Sequence, residues 1–165
     1  MKRILLLIPT IAAMLFAAAG LALADTSGPD IEPEFYRCLE AADADEATSR
    51  NECIGAAAAV CIAEFSTASG KANCFEQEAA LWDALLNESY QELRHMNLSR
   101  SFRDRVRKVQ KNWIAFRDTN CNLYAEMGIG GAQGEALKES CKLEQTALRA
   151  NQLGSLRDIA RQVAN

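Results

Sequence analysis

FEQEAALWDALLNESYQEL, residues 75–93, decides the fold. Phe75, Ala79, Trp82, Leu86, Tyr90 and Leu93 recur every three or four residues. That spacing draws one apolar stripe along a helix and lacks the alternation a half-buried strand would show. Between them stand mainly Glu, Gln, Ala and Leu, all good helix formers. FRDRVRKVQKNWIAF, residues 102–116, repeats the pattern through Phe102, Val106, Val109, Trp113 and Phe116. No proline follows Pro33, and breaks rich in Gly, Ser, Asn and Asp fall near 43–47, 66–70, 97–101 and 128–134. The spacing therefore predicts an all-α bundle of about five helices, near 34–43, 47–65, 71–97, 101–127 and 134–164. Short breaks make consecutive helices antiparallel hairpins. Trp82, Leu86, Tyr90, Val109, Trp113 and Phe116 are the expected mutually packed core.

Composition agrees with one globular domain. The chain has 165 residues, 49% of them hydrophobic and 24% charged, which excludes intrinsic disorder. Aromatic residues make up only 7%, so core volume must come largely from aliphatic side chains. A net charge of −4 argues against the whole chain acting as a polyanion binder. The single histidine, His95, leaves no histidine pair to bind a metal and reads as a solvated helix-end residue.

The beginning of the chain sets the compartment. Lys2 and Arg3 precede an apolar run from Ile4 to Leu23, and Ala22-Leu23-Ala24 has the small-residue form of a peptidase site. This pattern predicts a signal peptide over 1–24 and a short extended leader over 25–33, followed by the helical domain over 34–165. An uncleaved anchor is the alternative reading of such an apolar run. The crowded alanines and the small-residue site favour cleavage, and with it a periplasmic or secreted protein without a membrane anchor.

Six cysteines in an oxidising compartment are expected to form disulfides. Fifteen pairings are possible in principle. Cys38 and Cys53 stand about evenly either side of the 43–47 break, Cys61 and Cys74 either side of 66–70, and Cys121 and Cys141 either side of 128–134. Residues equidistant from a hairpin turn face each other, so the sequential pairing is favoured. Cys53 and Cys61, eight residues apart on one predicted helix, would lie about 12 Å apart along its axis, too far to bond. No Cys-x-x-Cys or Cys/His cluster suggests a metal site.

Charge is divided along the chain. Asp25 to Glu92 holds 15 acidic and 3 basic residues, whereas Arg94 to Arg117 holds 8 basic residues and one acid, Asp104. The favoured reading is that acidic and basic helices pack side by side and neutralise each other. A second is an acidic surface that docks a basic protein. A third is an anion-binding face from Arg100, Arg103, Arg107, Lys108 and Lys111; without interleaved aromatics it does not point to nucleic acid. Catalytic signatures are missing. There is no nucleophile elbow, no phosphate loop and no dinucleotide fingerprint, and a lone histidine cannot organise a triad with any of the serines. No cofactor is implied, and the chain does not read as an enzyme.

Three blocks carry a family resemblance. They are Leu86-Asn87-x-x-Tyr90-x-x-Leu93, then Gln110-x-x-Trp113-x-x-Phe116-Arg117-Asp118-x-x-Cys121, and finally Cys141 followed by Thr146-x-x-Arg149-x-x-x-Leu153. Their order and spacing resemble the N-terminal domain family of LprI-type lysozyme inhibitors over about Cys61 to Leu156. The resemblance implies a secreted α-helical domain, supports the Cys121–Cys141 bridge, and suggests a binding protein that inhibits a muramidase. The alternative is a structural or envelope-interaction module without inhibitory activity. Cys38 and Cys53 lie outside the family pattern. Trp113 and Phe116 fall on the apolar stripe and read as core, and Arg117 borders it, placed to bond Asn87 or a helix-end carbonyl. Asn87 and Tyr90 are expected on the facing helix. A basic lysozyme-type partner would be met by acidic side chains, foremost Asp43, Asp45 and Glu46, because loop tips enter clefts more easily than helix flanks.

Overall fold

A computed structural model describes residues 28–127 and 130–164 of the chain. The predicted signal peptide lies outside the described residues, as do residues 25–27 of the predicted leader; the leader's last two residues, Glu32 and Pro33, are helical rather than extended. Five α-helices run through the described residues: α1 Glu32–Ala44, α2 Ala56–Glu64, α3 Ala68–His95, α4 Arg100–Glu126 and α5 Gly131–Ala164. A 3-10 turn, Arg50–Cys53, stands between α1 and α2. No strand occurs among them. The fold is the expected all-α bundle stapled by disulfides.

α3 and α5 begin three residues earlier than expected, at Ala68 and Gly131, and two further differences have a local reason. The helix expected over 47–65 is two pieces, because Gly55 takes a left-handed conformation (φ +87°) that only glycine adopts at no cost. The first helix begins at Glu32 rather than at 34, because Pro33 occupies its first turn, where the missing N–H is not needed. Thr67 and Ser99 cap α3 and α4 by accepting from the Gly70 and Phe102 backbone amides.

The long helices α3 and α5 share the most extensive contact, and α1, the 3-10 turn and α2 pack on the side of that pair. α4 packs against α5 and more lightly against α3, and it makes no contact with α1 or α2. Trp82 on α3 is the centre of the core. Its ring meets Phe35 of α1 edge to face at 5.0 Å, and Leu86, Leu93, Leu143 and Leu153 are buried in the same cluster. Small residues on α5, Ala147 and Ala150, are buried there as well.

The expected core needs correction at α4. Val109 and Phe116 are exposed, at 51% and 57%, and Tyr90 and Trp113 are only partly buried. α4 turns Val106, Gln110 and Cys121 inward instead. Phe35 and the α5 alanines already fill the space around Trp82. The stripe on α4 is therefore rotated away from the bundle centre, and its outer half meets solvent.

The six cysteines form three bridges: Cys38–Cys53, Cys61–Cys74 and Cys121–Cys141, with no free thiol. The first holds the 3-10 turn to α1, the second joins α2 to α3, and the third joins α4 to α5. Each closes a short loop across a chain reversal, worth about 3 kcal/mol in the chain-entropy treatment. Three disulfides and no free cysteine are the pattern of a chain that folds outside the reducing cytosol. Among the described residues no helix is long and apolar enough to cross a membrane.

Candidate functional site

Acidic side chains gather on the layer built by α1, the following loop, the 3-10 turn and α2. From Asp30 to Glu64 the chain carries nine acidic residues and two basic ones, Arg37 and Arg50. Both cations are spent within the layer. Arg37 pairs with Glu34 one helical turn earlier, and Arg50 forms a two-pronged ion pair with Asp43. Seven carboxylates remain outside these pairs, at Asp30, Glu32, Glu40, Asp45, Glu46, Glu52 and Glu64, and all seven residues are exposed.

The loop after α1 is ordered by its own polar groups. Asp45 accepts from the Thr48 hydroxyl at 2.7 Å and from the Ala47 amide at 3.0 Å. Ser49 caps the 3-10 turn, and Glu52 reaches back to the Ser49 amide. The Arg50 guanidinium holds the Asp43 carboxyl below its ordinary range. The Thr48 hydroxyl and the Ala47 amide do the same for Asp45. The three loop acids thus have different roles. Asp43 and Asp45 fix the loop, whereas Glu46 makes no ion pair or hydrogen bond among the described residues. Behind the loop lies a cleft of about 510 Å³, lined chiefly by polar side chains that include Asp43, Arg50, Asn51, Glu88, Asn151 and Asp158.

α4 keeps the opposite sign. Its ion pairs stay within the helix: Arg100 and Arg107 with Asp104, and Arg117 with Asp118. Among the described residues α4 packs lightly against the acidic helix α3 but not against α1 or α2, and no ion pair joins it to any of the three. Nor do the basic residues converge on an anion site. Arg103 turns inward and donates to the Leu98 and Met96 carbonyls, while Lys108 and Lys111 are exposed.

The family-motif residues divide into three groups. The first is a polar contact between α4 and α5 around Trp113. Arg117 and Arg149 lie over its ring at 5.1 and 5.9 Å. Arg149 donates to Gln110 at 3.0 Å, Arg117 donates to Thr146 at 3.4 Å, and Arg117 also pairs with Asp118. Burial lowers the Arg149 pKa. The second group borders a shallow groove between α3 and α4, where Asn87 and Tyr90 meet Gln110 and Lys111. Asn87 is tied to Asp83 at 2.7 Å and not to Arg117. The third is Phe116 alone, pointing away from both. The carbonyl partners expected for Arg117 belong to Arg103 instead, because Arg103 sits one turn from the exposed end of α3.

Glu78 is the residue that sequence reading missed. It is fully buried on α3. Its two oxygens accept from the Gly55 amide at 2.8 Å, the Ala58 amide at 2.6 Å and the Trp82 indole at 3.0 Å. The carboxylate therefore caps the start of α2, which has no side-chain cap of its own. Its signal was a Glu four residues before Trp82, on the same helix face.

A family model described as "Lysozyme inhibitor LprI" matches residues 61–153. The matched segment runs from α2 into α5 and takes in the Trp113 contact, but not α1 or the acidic loop. No curated protein and no solved structure matches the chain.

Proposed function

Because the chain belongs to the LprI lysozyme inhibitor family, we propose that it is a periplasmic or secreted binding protein that inhibits a basic lysozyme-type muramidase through its acidic layer. Seven exposed carboxylates on one layer, with both local arginines already paired, are the observation that carries this reading. A cationic enzyme surface meets acceptors there and no competing cations. Their field would also steer the encounter, an effect that weakens as salt shortens the Debye length to about 8 Å near 0.15 M. Within the loop, Glu46 is the contacting group. Asp43 and Asp45 shape the loop and add charge. The protein supplies no catalytic group; it occludes.

The test is muramidase turnover with and without equimolar protein, at low and at physiological salt. Inhibition that falls with salt, and falls again in the Asp45→Asn/Glu46→Gln variant, is the expected result. Inhibition untouched by both changes would keep the activity and move the site elsewhere. No inhibition at low salt would remove the reading for that enzyme.

A second reading has its own support. The acidic loop lies outside the segment matched by the family model, as do α1 and the 3-10 turn, so the family match does not itself point to this loop. That favours a structural or envelope-interaction module whose partner binds this layer without any loss of lysozyme activity. Pull-down of a non-muramidase partner, lost in the same double variant, separates the two.

A further inference from the structure

Among the described residues no element covers the outer half of the α4 stripe. Among the described residues, five of the twelve exposed large hydrophobic residues belong to this one helix, Val109, Ile114, Phe116, Leu123 and Tyr124, and a sixth, Met127, caps its end. The alternating three- and four-residue spacing of residues 102–116 continues through Asn120, Leu123 and Met127, which makes a heptad pattern over most of α4. One set of seam positions, Val106 and Trp113, turns toward α5. The other set, Val109, Phe116 and Leu123, is more than half exposed. Half of a coiled-coil seam is therefore used inside the molecule and half is presented to solvent.

We propose that the free half of the seam pairs with α4 of a second copy, antiparallel, about a twofold axis at Phe116. A twofold contact requires a self-complementary patch, and the order of residues on α4 supplies one. Val109 and Leu123 lie seven residues either side of Phe116, and Asn112 and Asn120 lie four either side. In this register Val109 meets Leu123 of the second copy, Asn112 meets Asn120, and Phe116 meets itself. Charge selects the antiparallel direction. Residues 100–111 carry six cations and one acid, whereas residues 112–127 carry Arg117 against Asp118 and Glu126. Antiparallel pairing sets each basic half beside the other copy's acidic end and brings Arg105 close to Glu126 of the second copy. Parallel pairing would stack the two basic halves. A helix of 27 residues is about 40 Å long, so one helix pair makes a contact at the small end of stable interfaces. The dimer is accordingly weak and forms in the micromolar range. It leaves the acidic layer free, since α1 and α2 do not touch α4.

Sedimentation equilibrium over a wide concentration range tests the pairing, with far-UV circular dichroism to confirm that each variant is folded. The expected result is a monomer–dimer equilibrium that Phe116→Glu weakens at least tenfold. Under mild oxidation, Phe116→Cys should cross-link two copies. Val109→Cys should not, because its symmetry mate lies about 21 Å away along the helices, beyond disulfide reach. A monomer at every concentration, a dimer insensitive to Phe116→Glu, or equal cross-linking of both cysteine variants would each overturn the proposal. A monomer that instead floats with anionic vesicles, and stops doing so in Phe116→Glu, would overturn it in favour of a membrane surface.

Discussion

The Trp82 indole donates to the Glu78 carboxylate one helical turn earlier, at 3.0 Å and fully buried. The same carboxylate takes two amides from the start of α2, so one side chain orients the central tryptophan and anchors a neighbouring helix. Replacing it leaves buried donors without acceptors. Glu78→Gln keeps the shape but turns an NH2 group toward an N–H. It is expected to cost about 2–3 kcal/mol, read as a lower urea midpoint with an unchanged slope.

The two tryptophans should respond differently to truncation. Trp82→Ala empties the centre of the core and is expected to cost about 3–5 kcal/mol. Trp113 is partly exposed and lies under two guanidiniums. Trp113→Ala is expected to cost about 1–2 kcal/mol, the sum of partial burial and a cation–π contact. Equal costs in equilibrium unfolding would show that Trp113 is core after all.

Removal of the Cys38–Cys53 bridge should release the acidic loop and spare the rest. The bridge lies outside the family-matched segment, and α1 is its main beneficiary. The Cys38→Ser/Cys53→Ser variant is expected to lose about 3 kcal/mol. It should retain the near-UV signal of Trp113 and show faster amide exchange at Thr48.

Asp43 and Asp45 give the loop a pH dependence. Both carboxyls titrate below their ordinary range in the folded protein, through Arg50 for Asp43 and through Thr48 and Ala47 for Asp45. Their contribution is fully present above the unfolded value, about 3.9, and is lost as pH falls through the lower folded values. Protection of the Ala47 and Thr48 amides, taken relative to the intrinsic exchange rate at the same pH, should therefore hold at pH 5 and fall below about pH 4. Asp45→Asn should remove most of that step.

Periodicity was enough to reveal the helices, because their stripes run over many turns. The bridges were legible too, because each pair is equidistant from a reversal. What periodicity could not reveal is which way a stripe faces. Val109 and Phe116 have the same spacing as Trp82 and Leu86, yet the core was already filled by Phe35 from α1 and by alanines from α5, partners far away in the chain. The candidate site was legible as an excess of charge around Asp43, Asp45 and Glu46, but not in its division of labour. Only the fold brings Arg50 back onto Asp43, and only the fold shows that α4 and the acidic layer never meet.

That separation has a practical consequence at the bench. The chain has a pI near 5.1 and a net charge of −4, so a uniform charge distribution would let it pass through a cation-exchange column at pH 7. A molecule with seven of its Lys and Arg residues on one helix and an excess of carboxylates on the α1–α2 layer is a permanent dipole, and a resin meets one pole at a time. The protein is expected to be retained by both cation and anion exchangers at neutral pH. Lys108→Glu/Lys111→Glu should abolish the first retention and strengthen the second.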